Sequence, residues 1–384
     1  MCSNMKTLRI IVSVSLLVVV IQAEAKFIRP DVEMVPTDRL IANLEKMVAE
    51  NPKGVEPCYA LARIHAIAYE QGKYPPNEYQ VYRKSGLPFF GFRDAGLLPH
   101  QDSPKAPPGA DTNHLAKALK YYTRAVELDP KHLASQIGLG WCQEQAYLKS
   151  AAIVTYRKAL ELGWAREQTG EFALGPRVTE EVSGYLLNLL DPRADAAEIK
   201  RVQEIRAAAS KGMRAITPIL IPLVDGAALK ELVDNKAAVP FDLDGSGLLK
   251  KWSWPTAKAG WLVYDPDATG DIRSGLQMFG NVTFWVFWNN GYEALSALDN
   301  NADGWLCGEE LEGLAIWCDA NRNGISEPGE VRPLTAYGIT ALSCHYRIHP
   351  TGIPYHPAGL TLSNGRTRPT YDWVAKEKGG EQQN

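Results

Sequence analysis

The sequence predicts a mainly α fold, with a helical-repeat domain first and a small α+β module built on oxygen-rich loops second. Three observations predict it. Apolar residues recur at helical spacing through Leu40, Leu44 and Met47 and again from Cys58 to Tyr69. A set of residues repeats at an interval of 34 in the stretch that follows. Two acidic segments, DNNADGWLCGEE from Asp299 and DANRNGISEPGE from Asp319, then start 20 residues apart.

In chain order, the first element is a targeting segment. Lys6 and Arg9 precede a largely apolar run from Ile10 to Ile21, and Ala23-Glu24-Ala25 offers a small-x-small cleavage site. The run is short for a membrane span. A signal peptide over residues 1–25 is therefore expected, with no span after its removal and an exported product, periplasmic, secreted or on the cell surface. Setting aside Cys2, five cysteines follow (Cys58, Cys142, Cys307, Cys318, Cys344), an odd number that leaves at least one free thiol. Cys344 has Cys307 and Cys318 as alternative partners.

Thr37 or Asp38 is placed to cap the first helix, and Asn51-Pro52 to stop it. Residues 73–113, with PP, LPFFGF and KAPPG, read as an inserted loop. Past that loop, Ala118, Tyr122, Ala125, Glu127 and Leu128 recur as Ala152, Tyr156, Ala159, Glu161 and Leu162. Small residues at two positions let paired helices approach, and a ring fills the gap between them. Further helices are expected over Glu180–Leu190 and Ala196–Met213. The repeat, with Leu139 and Gly140 in phase, resembles the tetratricopeptide repeat, whose period is 34 residues. Trp164 stands where that pattern has its final Pro, and Gln136 where it has its first Trp. Such a stack, over 36–225, resembles a scaffold that holds a protein or peptide partner in a concave groove; the alternative is a structural spacer with no partner.

Asp225 to Pro240 reads as a linker or last helix, and Leu248 to Tyr264 as a hairpin. The two acidic segments each fit the pattern D-x-[DN]-x-[DN]-G-x5-E. Asp299, Asn301, Asp303 and Glu310 occupy ligand positions 1, 3, 5 and 12 of the first; Asp319, Asn321, Asn323 and Glu330 occupy those of the second. Trp305 and Ile325, at position 7, contribute backbone carbonyls. Ca2+ takes six to eight oxygens at about 2.3–2.6 Å, and alternate residues of a tight loop aim carboxylates and carbonyls inward. Leu311, Leu314, Ala315 and Trp317 predict one short helix between the loops. Phe241 to Glu330 carries 14 acidic and 5 basic residues within a chain of net charge −3, which suits cation binding and offers no nucleic-acid footprint.

From about Pro240 to Ser343, the order of PFDLDGSG, the DPDATG stretch and the two acidic loops resembles the calcium-binding module of secreted bacterial repeats-in-toxin proteins. The self-processing module of Frp-type proteins is among these. The resemblance implies an EF-hand-like calcium module over 240–375, with Ca2+ as its cofactor. It adds a loop at Asp265, Asp267 and Thr269 to the ligand set and another at Asp242, Asp244 and Ser246, for which a structural turn leading into the hairpin is the alternative. Gln277 stands where the family has a closing Glu. Family self-processing cuts an Asp-Pro bond just ahead of the DLDG stretch; the bond here is Val239-Pro240, so no self-cleavage is expected. There is no G-x-S-x-G elbow, phosphate-cradling glycine loop or H-E-x-x-H motif. The expectation is therefore an exported calcium-binding interaction protein and not an enzyme; the alternative is a calcium-dependent self-processing or hydrolytic protein of the cell envelope. Eight of the ten Trp residues lie from Trp252 onward, and Phe284 to Trp288 is read as core.

Overall fold

The computed structural model describes residues 35–72, 88, 112–168, 178–209 and 216–378. The targeting segment and nearly all of the inserted loop lie outside them.

Among the described residues, seven helices make up the N-terminal part: α1 (Thr37–Glu50), α2 (Val55–Gln71), α3 (Thr112–Leu128), α4 (Leu133–Gln145), α5 (Lys149–Gln168), α6 (Thr179–Leu189) and α7 (Ala196–Ala208). Each packs on its neighbours in the chain. The repeated positions Ala118, Tyr122, Ala125, Ala152, Tyr156 and Ala159 are all fully buried. Two glycines of α4 make room for the rings: a Cβ at Gly138 would meet Tyr122 Cζ at 2.2 Å, and one at Gly140 would meet Tyr156 Cε1 at 2.5 Å. α1 begins after Pro36 without a side-chain cap, so neither Thr37 nor Asp38 plays that part.

The C-terminal part overturns the expected fold class. In place of a small EF-hand-like α+β module there is a nine-stranded antiparallel sheet that curls into a half-barrel. Its strands are β1 (Ile219–Pro222), β4 (Ala259–Tyr264), β5 (Trp305–Cys307), β6 (Leu314–Trp317), β7 (Val331–Pro333), β8 (Ile339–Ser343), β9 (Arg347–Ile348), β10 (Pro354–Leu362) and β11 (Thr367–Asp372). The order is β5-β8-β10-β11-β1-β4-β6-β7, with β9 on β10. A two-stranded sheet, β2 (Val233–Phe241) with β3 (Lys250–Pro255), packs beside it. Asp225 to Pro240 is thus neither linker nor last helix, since only the short α8 (Leu229–Leu232) precedes β2. Nor do β3 and β4 pair as a hairpin: β3 bonds β2, while β4 runs between β1 and β6.

The segment between the acidic loops shows why the sequence misled. Leu311 to Trp317 matches helical spacing, yet it is a 3-10 turn at Gly308–Leu311 followed by strand β6. Gly313 breaks any helix there, at φ +79°. Leu314 to Trp317 are all buried, between β4 and β7. A short continuous apolar run reads equally as buried helix or buried strand, and pairing decides it.

The aromatic run is core, and it joins the two parts. Phe284, Trp285, Val286 and Trp288 are buried. Phe284, Trp285 and Phe287 hold φ of 57°, 63° and 63°, a left-handed conformation costly for bulky residues. Helix α2 fixes that backbone: Tyr59 Oη donates to Val286 O at 2.5 Å, and Arg63 Nε to Trp285 O at 2.8 Å. All five cysteines among the described residues are free thiols.

Candidate functional site

Four loops of the C-terminal part share one backbone design. They start at Asp242, directly after β2; at Asp265, directly after β4; at Asp299, soon after α9 (Gly291–Ser296); and at Asp319, which Cys318 separates from the end of β6. In each, position 4 and position 6 have positive φ: Gly245 and Gly247, Ala268 and Gly270, Ala302 and Gly304, Arg322 and Gly324. The carboxylate at position 1 accepts from the N–H at position 6, at 2.9 Å for Asp242, 2.9 Å for Asp265, 2.8 Å for Asp299 and 2.9 Å for Asp319. The side chain at position 5 accepts from the N–H at position 7: Ser246 from Leu248, Thr269 from Asp271, Asp303 from Trp305 and Asn323 from Ile325. A tight turn held open by acceptor oxygens on alternate residues is what a hard cation needs.

The sequence-predicted residues fall into a floor and a rim. Asp299, Asp319 and Asp265 are buried at the floor, whereas Asn301, Asp303, Asn321, Asp267 and Thr269 are exposed on the rim. Asn323 and Trp305 are intermediate, and Ile325 is exposed. Asn301 Oδ1 accepts from Asp303 N at 2.8 Å, and Asn321 Oδ1 from Asn323 N at 3.0 Å.

The closing residues fold over their own loops. Glu310 is buried and accepts from Asn300 N at 2.7 Å, Asn301 N at 3.2 Å and Cys307 N at 3.1 Å. Glu330 accepts from Glu327 N at 3.1 Å and from Trp317 Nε1 at 3.3 Å. The corresponding amide of the Asp265 loop, Arg273 N, donates to Gln277 Oε1 at 2.8 Å. Gln277 therefore occupies the closing place one residue late, with an amide oxygen for a carboxylate.

The Asp242 loop, which only the resemblance adds, is the one the structure buries most deeply. Asp242 and Asp244 are 3% and 1% exposed. Burial, and next the charge of Asp244, push the Asp242 carboxyl well above the usual carboxylate range. Asp242 Oδ2 has no hydrogen-bond partner among the described residues. Lys250 Nζ bonds Asp244 Oδ2 at 2.6 Å, so an ammonium already sits on one carboxylate. The sequence signal existed, since Asp242, Asp244, Ser246 and Gly247 match positions 1, 3, 5 and 6; no closing Glu followed it. Burial likewise raises the Asp319 carboxyl.

Among the described residues, no three His, Cys, Asp or Glu side chains converge on one point. The donor set of these loops is different in kind: two or three carboxylates per loop, completed by amide, hydroxyl and backbone carbonyl oxygens. That chemistry, with the orphaned oxygen of Asp242, fits Ca2+ better than a soft metal that seeks imidazole or thiolate. His345 is exposed, and His349 and His356 are partly so.

The SPM domain model matches residues 224–357, a span that contains all four loops. The iron-regulated protein FrpA of Neisseria meningitidis serogroup C is 34% identical over 136 residues, which is 34% of this chain and 11% of that protein. The chain thus spans about a tenth of the length of this relative.

Proposed function

We propose that the C-terminal sheet binds Ca2+ through the loops at Asp265, Asp299 and Asp319, and that the chain acts as an exported, calcium-stabilised interaction protein. The observation that carries this reading is the common backbone of the loops, with left-handed residues at positions 4 and 6 and an acceptor at every odd ligand position. Asp299, Asn301, Asp303, the Trp305 carbonyl and Glu310 would hold one ion. Asp319, Asn321, Asn323, the Ile325 carbonyl and Glu330 would hold a second. Asp265, Asp267 and Thr269 would hold a third. Bound Ca2+ supplies positive charge that offsets repulsion among carboxylates; the chain's own residues order the loops around it.

Export rests on the leader features of residues 1–25. Millimolar extracellular calcium suits modules of this kind, which bind at about 10⁻⁴–10⁻³ M. A groove of about 840 Å³ lined by Val48, Ala116, Leu119, Tyr121 and Arg124 supports the helical part as the surface for a protein or peptide partner. No catalytic step is assigned. The self-processing reading lacks its Asp, since Val239 precedes Pro240, and calcium is expected to yield no fragments on a denaturing gel.

Calorimetric titration of the mature chain tests the reading. Glu310→Gln should remove one calcium site and Glu330→Gln another. Absence of calcium-dependent heat, together with an unchanged melting temperature at millimolar Ca2+, would refute it.

A further inference from the structure

Helix α1 lies some 250 residues ahead of the first loop in sequence, yet three of its side chains converge on it. Arg39, Asn43 and Lys46 are spaced by about a helical turn and share one face. Arg39 Nη2 donates to Leu298 O at 2.6 Å and to Glu310 O at 3.2 Å, so a single nitrogen joins the residue before position 1 to the residue at position 12. Arg39 Nε and Asn43 Nδ2 both donate to Asn300 Oδ1 at 3.0 Å. Asn43 Nδ2 also reaches Ala297 O at 3.0 Å, and Lys46 Nζ reaches Asn300 O at 2.8 Å. Asn43 is 3% exposed, which makes these bonds part of a packed contact and not a passing surface pair.

The pattern is selective in a way that bears on the ion. Asn300 is position 2, whose side chain faces away from the loop's interior while the odd positions face in. α1 therefore grips the outer side of the loop and fixes both of its ends, leaving the inward oxygens available. Closing a twelve-residue loop costs entropy, and a loop already closed binds its ion without that cost. The second loop is steadied differently, by Arg322 Nη1 on Asp234 Oδ2 at 2.6 Å, and has no bond from α1 among the described residues.

We propose that α1 is a cis-acting clasp for the first loop: Arg39 and Asn43 are positioning residues that preset its two ends, so that calcium at this loop and docking of the helical part favour each other. The proposal rests on the reading that the first loop binds Ca2+. By linkage, the clasp raises calcium affinity by the same factor by which calcium tightens the clasp.

The test uses the full mature chain with CaCl2 as titrant. Asn43→Ala changes no charge and removes two donors' worth of contact, so the first site should weaken about threefold to tenfold while the second is unchanged. Hydrogen exchange across 37–50 should slow on adding Ca2+ to the parent but not to Glu310→Gln. First-site affinity equal to the parent's in both Asn43→Ala and Arg39→Ala would overturn the clasp. Should either variant fail to fold, the exposed Lys46→Ala replaces it, with a smaller loss expected and no loss counting against the proposal. If the parent's first loop takes no Ca2+, the calcium reading fails there and the clasp is judged without metal. Amides 298–304 then exchange faster in Asn43→Ala if the clasp exists; equal rates would dismiss it.

Discussion

Ile272 and Ser326 tie two of the loops together at equivalent places. Ile272 N donates to Ser326 Oγ at 2.8 Å, and each residue is position 8 of its own loop, one counted from Asp265 and the other from Asp319. The two loops thus meet at this position, and ordering one steadies the other. Their weak member is the Asp265 loop, which closes with a neutral amide.

Charging that amide should strengthen the pair. Gln277→Glu keeps the acceptor that Arg273 N uses, gives up the bond from the amide to Asp271 O at 3.0 Å and puts a carboxylate at the closing place of the loop. Calcium affinity of the third site should rise by about tenfold, equivalent to about 1.4 kcal/mol. Calorimetry on the variant reads it directly, and an unchanged third site would show that Gln277 faces away from the ion.

Asp242→Asn separates the cost of a buried carboxylate from its use. Asp242 is buried, has an unpartnered oxygen and stands near Asp244. Without metal the variant should melt higher than the parent, by about 1 kcal/mol or more in stability. With calcium present the rise in melting temperature should shrink if the Asp242 loop takes an ion. An undiminished rise would leave that loop as structure alone.

Two glycine substitutions in the helical part should act in opposite directions. A Cβ at Gly138 would lie 2.2 Å from Tyr122 Cζ, and that ring is fully buried and has nowhere to swing. Overpacking of roughly 1–3 kcal/mol should outweigh the gain of about 1 kcal/mol in helix propensity, so Gly138→Ala melts lower. A Cβ at Gly184 in α6 meets nothing within 4 Å. Gly184→Ala should therefore gain up to about 1 kcal/mol. Chemical denaturation of the two variants gives both signs.

Glu293 makes stability pH-dependent at the junction of the two parts. Burial, and then the carboxylate of Glu56, lift its carboxyl to about 7 from the usual 4.5. Glu56 in turn lies 3.4 Å from His132 Nε2. Below pH 4.5 both folded and unfolded chains hold the Glu293 proton, so the group contributes nothing. Between 4.5 and 7 only the folded chain holds it, and stability falls as pH rises through that window. Glu293→Gln should match the parent at pH 4 and exceed it at pH 8, by on the order of 2 kcal/mol. Melting curves at the two pH values check this; a gap of equal size at both would assign the effect to packing.

The two acidic loops were legible because their chemistry is local. A turn with positive φ and acceptors on alternate residues needs only a dozen consecutive residues, and Asp299 to Glu310 spell it out. Buried Tyr122 and Tyr156 were legible too, since helix spacing repeats within one short stretch. The sheet was not. Leu314 to Trp317 fits a helix as well as a strand, and only pairing with β4 and β7 selects the strand. The burial of Asp242 depends on neighbours distant in sequence, whereas the closing place of Gln277 is set locally, through Arg273 four residues before it. Arg39 and Asn43 gave no sign at all, because nothing within α1 records that Leu298, Asn300 and Glu310 will lie against it. Short-range backbone geometry and oxygen placement are written in consecutive residues; strand pairing and the grip of α1 arise from long-range hydrogen bonds, which exist only once the chain has folded.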